Sequence, residues 1–294
     1  MKKLIVGLGE ILWDLLPEGK ALGGAPANFA YHVGQLGLDS MAVSAIGRDP
    51  LGEEIVASLA PKGLDCLFEE TDYPTGTVRV TLNGAGIPQY EIVQDVAWDH
   101  IPWTNHIAEV AANCRAVCFG SLAQRSPVSR QTIHRFLEAM PADSLKIFDI
   151  NLRQHFYSKE LIDTSLRMAN VLKINDEELA VLSDMFALTG GEEQVCTYIL
   201  ENYGLQIVIL TKGTAGSMVL TADGSVSKLP TPLVGVVDTV GAGDSFTAAF
   251  TTAYLAGHSV TDAHALAVEI AAYVCGEHGA MPVMPACYRN MFRV

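Results

Sequence analysis

The chain predicts an α/β fold, a mostly parallel sheet covered by helices on both faces, with a small antiparallel excursion. Three observations carry that expectation. Short apolar runs alternate with amphipathic stretches of helical period along most of the 294 residues, the rhythm of βαβ units. Those runs are continuous rather than alternating, as strands buried on both faces require. Thr77–Asn83 and Gln89–Val93 instead alternate polar and apolar residues around Gly84-Ala-Gly86-Ile-Pro88, which is the pattern of a half-exposed hairpin.

Buried strands are expected at Leu4–Leu8, Met41–Ile46, Ala116–Phe119, Lys146–Ile150, Val171–Ile174 and Ile207–Thr211. Helices are expected at Pro26–Leu36, Gly52–Leu59, Val128–Met140 and Glu192–Tyr203. Pro26 suits a first helical position and Asp49 an N-cap. After Gly216, Ser217–Thr221 and Ser225–Leu229 read as a hairpin about Asp223-Gly224. Two helices, about 241–256 and 260–276, close the domain, with Gly257 as the stop of the first. Residues 65–97, together with 12–22, read as a small β-rich lid, although an edge hairpin would show the same alternation. With no repeat, low-complexity tract or linker, residues 1–294 read as one domain.

Nearly half the residues are hydrophobic, enough for a sizeable core. Nineteen Lys and Arg stand against 33 Asp and Glu, a net charge of −14. That surface repels polyanions and argues against nucleic acid or anionic membrane as partners. The six cysteines at 66, 114, 118, 196, 275 and 287 form no C-x-x-C pair, as expected of reduced thiols in a cytoplasmic protein. Glu10 and Asp14 interrupt the apolar start, so it does not read as a signal peptide. No stretch reaches the roughly 18 uncharged apolar residues of a membrane span.

The chemistry concentrates at strand ends. Asp238-Thr-Val-Gly-Ala-Gly-Asp-Ser-Phe246 places Gly241, Ala242 and Gly243 before Asp244 at a helix start. Backbone N–H groups there attract anions, and a carboxylate beside them suits phosphoryl transfer by orienting and deprotonating an accepting hydroxyl. The helix dipole alone would also explain Asp244. Gly23-Gly24-Ala-Pro-Ala-Asn28 opens another helix, and Asp14 follows the first strand. A carboxylate with a carboxamide equips that corner for neutral hydroxyls rather than for phosphate. Asp149-Ile-Asn151-Leu-Arg153 offers acid, amide and cation together, and Arg153 fits either a phosphoryl group or an acidic substrate. Asn175-Asp-Glu-Glu178 suits a helix dipole, and equally the waters of a Mg²⁺ ion. Thr211-Lys-Gly213-Thr-Ala-Gly216 permits close backbone approach to a ligand. Gly7-Leu-Gly9 lacks the third glycine of a dinucleotide loop, since position 12 is Leu, and no P-loop occurs.

Gly23-Gly-Ala-Pro-Ala-Asn-Phe-Ala30 with Gly34 and Gly37 resembles the N-terminal signature of ribokinase-like (PfkB) carbohydrate kinases. Asp238–Phe246 resembles their C-terminal signature, Asn175-x-x-Glu178 their metal-linked motif, and Thr211-x-Gly213-x-x-Gly216 their nucleotide loop. The resemblance runs over essentially the whole chain. It implies a three-layer sandwich with a β-rich lid, ATP and Mg²⁺ as cofactors, and Asp244 as catalytic base beside an anion hole of Gly241, Ala242 and Gly243. Asp14, Gly24, Asn28, Tyr90 and Arg153 would bind sugar. Lys173, Asn175, Thr211, Gly213, Gly216, Gly243 and Cys275 would hold the nucleotide, with 271–282 bordering the adenine. Glu178 would reach Mg²⁺ through water, and Asp238 would mark a K⁺ site. Gly9-Glu10, Asp14, Pro17, Pro74–Val78, Gly86–Tyr90 and Ala97-Trp-Asp99 are most similar to fructokinases, which implies fructose as acceptor and phosphorylation at its 6-hydroxyl. Kinases of 2-keto-3-deoxygluconate or ribose, and a non-catalytic sugar-binding regulator, are the alternatives. Lid-to-lid homodimers are frequent in similar kinases.

Overall fold

The computed structural model describes residues 4–16, 19–82 and 88–293. The chain opens with β1 (Leu4–Leu8), β2 (Leu12–Leu16), β3 (Gly19–Gly23), α1 (Ala25–Leu36), β4 (Ser40–Gly47), α2 (Pro50–Leu59) and β5 (Asp65–Thr71). It continues through β6 (Thr77–Leu82), β7 (Pro88–Ile92), α3 (Asn105–Ala112), β8 (Cys114–Phe119), α4 (Pro127–Ala139), β9 (Leu145–Asp149) and α5 (Lys159–Met168). Next come β10 (Val171–Asn175), α6 (Asp176–Phe186), α7 (Glu192–Tyr203) and β11 (Ile207–Thr211). The hairpin β12 (Ser217–Thr221) and β13 (Val226–Leu229) precedes the closing helices α8 (Ala242–Leu255) and α9 (Val260–Cys275).

The large sheet has the order β13-β12-β11-β10-β9-β8-β1-β4-β5. It is parallel from β5 to β11 and antiparallel over the terminal hairpin. Successive strand residues point to opposite faces. Ile5, Ala116, Ile147, Val171 and Ile207 pack with Phe29, Phe246, Phe250 and Ile270 of α1, α8 and α9. Their neighbours Val6, Val117, Phe148, Leu172 and Val208 pack with Ile107, Phe136, Ile162, Leu179 and Ile199 of α3 to α7. Burial on both faces is why these strands read as continuous apolar runs, and it makes the molecule an α/β/α sandwich.

A second, four-stranded sheet of order β3-β2-β6-β7 stands apart. Its β6 and β7 are antiparallel and its β2 and β6 parallel. The segment expected as lid divides here. Asp65–Thr71 pairs in parallel with β4 as the edge of the large sheet, so only the strands from Thr77 onward join those from Leu12–Gly23. Val43 and Ala45 on β4 supply an apolar partner that makes this pairing favourable. Pro17 and Gly84–Ile87 lie outside the described residues.

Candidate active site

The parallel strands β1, β8, β9, β10 and β11 deliver their following loops to one edge of the sheet, where such folds collect ligands. α8 begins at this edge. Gly241 takes φ +80°, and a Cβ on it would lie 2.7 Å from the Ala280 Cα, so only glycine makes this turn. Among the described residues no side chain caps α8. Ala242, expected in the anion hole, instead donates its amide to the Thr239 carbonyl at 3.3 Å, which closes the tight turn, whereas among the described residues the Gly241 and Gly243 amides have no partner. A helix N-terminus left in this state attracts an anion through its N–H groups and dipole.

Asp244, in the first turn of α8, accepts a hydrogen bond from Asn28 Nδ2 at 2.7 Å. Asn28 stands one turn inside α1, whose N-cap is Gly24. Residues 216 apart in sequence therefore meet at the facing starts of two helices. Burial, followed by the neighbouring charge of Asp149, raises the Asp244 carboxyl to about 6, against the pull of Asn28, Lys173 and Arg153. A carboxylate tuned to that range is ionised at neutral pH yet basic enough to accept a proton.

Asp14 lies on β2 with its carboxyl against Gly23, where a Cβ would come within 2.7 Å of Oδ2. Burial raises its pKa and Arg153 lowers it. The exposed Arg153 follows Asn151, which takes φ +43° in the loop after β9. The Arg153 charge acts on Glu10, Asp14 and Asp244 alike. These four groups and the starts of α1 and α8 form one polar corner. The side chain of Tyr90 lies outside the described residues.

Thr211, Gly213, Gly216, Gly243 and Cys275 line a cavity of about 300 Å³ beside this corner. Its other walls include Val234, Val236, Val268, Ala271 and Ala272. An apolar slot that ends at Gly243 fits a flat heteroaromatic base whose phosphates point to the start of α8.

Lys173 and Asn175 take other places. Lys173 is buried, its Nζ donating to Asp149 Oδ1 at 3.0 Å and lying 3.0 Å from where a Gly243 Cβ would stand. Burial alone would lower its pKa, but the carboxylates of Asp149, Glu178 and Asp244 outweigh it and hold the ammonium charged. The cation thus sits beneath the anion cradle. Thr247 Oγ1 stands 3.1 Å from the second Asp149 oxygen. Asn175 caps α6, its Oδ1 accepting the Glu178 amide at 2.8 Å.

Glu178 completes that capping box, accepting the amides of Asn175 at 3.0 Å and Leu152 at 2.9 Å. Among the described residues no three His, Cys, Asp or Glu side chains gather to hold a metal. A Mg²⁺ ion here would be held by substrate phosphates and waters, the usual habit of that ion. Asp238 accepts the amides of Val240 at 3.0 Å and Gly279 at 3.2 Å, tying the α8 loop to the segment after α9.

Two features escape motif reading, although the residues that make them stand among the sequence candidates. Glu10 is buried, one carboxyl oxygen has no partner among the described residues, and burial raises it to about 7. The Lys173–Asp149 pair is the other. A single cation inside the apolar run Val-Leu-Lys-Ile (171–174) was its available signal, since a buried ammonium needs a counter-charge.

An α/β/α sandwich in which a glycine-rich helix start and an acid meet at the strand ends is equipped for phosphoryl transfer. The sequence profile of the pfkB family carbohydrate kinases matches residues 18–287, and the chain belongs to that family. The fructokinase of Klebsiella pneumoniae is 33% identical over 301 residues, which span 95% of either chain. A sugar kinase of Pyrococcus horikoshii superposes with a TM-score of 0.81 at 28% identity, over 98% of this chain and 95% of that one. Its complex with ATP gives 0.77 at 27% identity over 94% of each. A fructokinase of Xylella fastidiosa with bound ATP shares the fold, with a TM-score of 0.81 at 21% identity over 97% and 96% of the two chains. Among the described residues no helix is long and apolar enough to cross a membrane.

Proposed function

We propose that the protein transfers the γ-phosphoryl group of ATP to a primary hydroxyl of a small sugar, converting fructose to fructose 6-phosphate. One observation carries the reading: Asp244, held by Asn28 at 2.7 Å, stands beside the unpartnered amides that open α8. The sugar occupies the corner of Asp14, Gly24, Asn28 and Arg153. The base of ATP occupies the apolar slot beside Gly243, and the ATP complex of the P. horikoshii relative supports ATP as the donor. Asp244 orients the 6-hydroxyl and takes its proton onto a carboxylate oxygen as the hydroxyl oxygen bonds to the γ-phosphorus and the bond from that phosphorus to the β,γ-bridging oxygen breaks, with ADP as the leaving group. The Gly241 and Gly243 amides, with Lys173 beneath, stabilise the charge on the moving phosphoryl group. Glu178 would hold Mg²⁺ through water, and the ion would supply charge neutralisation on the phosphates; Asp238 is the residue available to a K⁺ ion. The small sheet acts as a lid that excludes water, and its open edge suits pairing with a second copy.

The fructokinase relative at 33% identity supports fructose. A second reading, a keto-deoxy sugar acid, is favoured by Arg153 alone, an exposed cation within reach of the sugar corner. Sugar-dependent ADP formation with Mg-ATP separates them across fructose, ribose and 2-keto-3-deoxygluconate. The highest kcat/KM is expected for fructose. A higher value for another sugar overturns the acceptor, and no sugar-dependent ADP formation at all overturns the kinase reading.

A further inference from the structure

We propose that His32, with Tyr31 beside it, is a positioning residue for phosphoryl transfer, holding the turn at the start of α8 through the backbone of Ala280. The proposal rests on the kinase reading above. His32 is fully buried in α1, one helical turn beyond Asn28. Its Nε2 lies 2.8 Å from the Ala280 carbonyl, while its Nδ1 has no partner among the described residues. A carbonyl only accepts, so Nε2 carries the proton and donates.

Ala280 is the residue against which Gly241 turns. A Cβ on Gly241 would meet the Ala280 Cα at 2.7 Å and its oxygen at 2.8 Å. One residue earlier, the Gly279 amide donates to Asp238, and two residues later the Pro282 carbonyl accepts from Tyr31 Oη at 3.2 Å. Residues 279–282 are therefore bonded to α1 on one side and to the 238–241 loop on the other. The same helix grips Asp244 through Asn28. One rigid element thus sets both the base and the wall behind the anion cradle, and with them the distance between attacking oxygen and phosphorus. A leucine would fill this buried position without the desolvation cost of an imidazole. The polar ring makes one bond, and that bond falls on the segment backing the cradle.

The test uses the full chain with His32→Leu, His32→Gln and Tyr31→Phe. It reads urea stability, kcat, both KM values and inhibition by MgADP with aluminium fluoride, a mimic of the moving phosphoryl group. His32→Leu is expected to lower kcat by about 10- to 100-fold, the effect of a small misplacement, with little change in either KM and weaker aluminium fluoride inhibition. His32→Gln, whose amide reaches the carbonyl, recovers most of the loss, and Tyr31→Phe moves kcat less in the same direction. A folded His32→Leu with wild-type kcat, or His32→Gln no better than His32→Leu, overturns the proposal. Should His32→Leu not fold, Tyr31→Phe decides: lower kcat at constant KM supports it and wild-type kcat overturns it. Wild-type protein without sugar-dependent ADP formation would instead remove the kinase reading itself.

Discussion

Replacing Gly241 by alanine tests the tight turn at the head of α8, and a second glycine supplies the control. Gly241 has φ +80° and Gly257 has φ +91°, both in the left-handed region. A Cβ at Gly257 would meet nothing within 4 Å, whereas at Gly241 it would lie 2.7–2.8 Å from the Cα, Cβ and oxygen of Ala280. The conformational term is common to both positions and costs about 1–2 kcal/mol. Overlap with Ala280 adds about 1–3 kcal/mol at Gly241 alone, so Gly241→Ala should lose roughly 2–5 kcal/mol in total. Urea unfolding reads the difference as a shift of midpoint at constant slope. Because the same displacement moves the anion cradle, Gly241→Ala should also lower kcat by about 10-fold or more, while Gly257→Ala leaves kcat unchanged. Equal midpoints for the two variants, with kcat intact in both, would refute the reasoning.

The remaining predictions concern the carboxylates. In the proposed mechanism Asp244 works ionised, so kcat/KM should be full above its value of about 6 and fall as pH drops through it; a profile flat from pH 8 to 5 would contradict this. Asp244→Asn should lower kcat by about 10²- to 10⁴-fold with a smaller change in KM, read by steady-state kinetics. The same variant should be more stable than wild type at pH 8. Folding raises that carboxyl from 3.8 to about 6, so ionising it costs the native state roughly up to 3 kcal/mol. The cost is fully present above about 6 and disappears as pH falls toward 3.8, and urea midpoints at pH 8 and pH 4 would show the gain only at the former. Asp14→Ala should raise the sugar KM and leave ATP binding nearly intact; equal weakening of both would make Asp14 structural.

The fold was legible wherever burial leaves a period. Strands such as Val171–Asn175 and Ile207–Thr211 are apolar on both faces because both faces are covered. The hairpin of β6 and β7 alternates in sequence and pairs antiparallel. Asp65–Thr71 misled because Asp-Cys-Leu-Phe-Glu-Glu-Thr is only partly buried at a sheet edge, so its pattern resembles that of a free-standing sheet. The two helix starts that carry Gly24 with Asn28 and Gly241 with Asp244 were legible, because each chain turn favours particular residues. The burial of Glu10, the bond of His32 and the pairing of Lys173 with Asp149 were not, although Glu10, Asp149 and Lys173 themselves stood among the candidates. Their roles depend on partners up to 248 residues away, and local pattern carries no record of such a meeting.

The most direct test of the central claim is a structure of the protein with fructose, MgADP and aluminium fluoride. The account predicts the fluoroaluminate against the Gly241 and Gly243 amides, with a primary sugar oxygen between it and the Asp244 carboxylate. A fluoroaluminate held elsewhere, or a sugar whose nearest carboxylate is not Asp244, would contradict it.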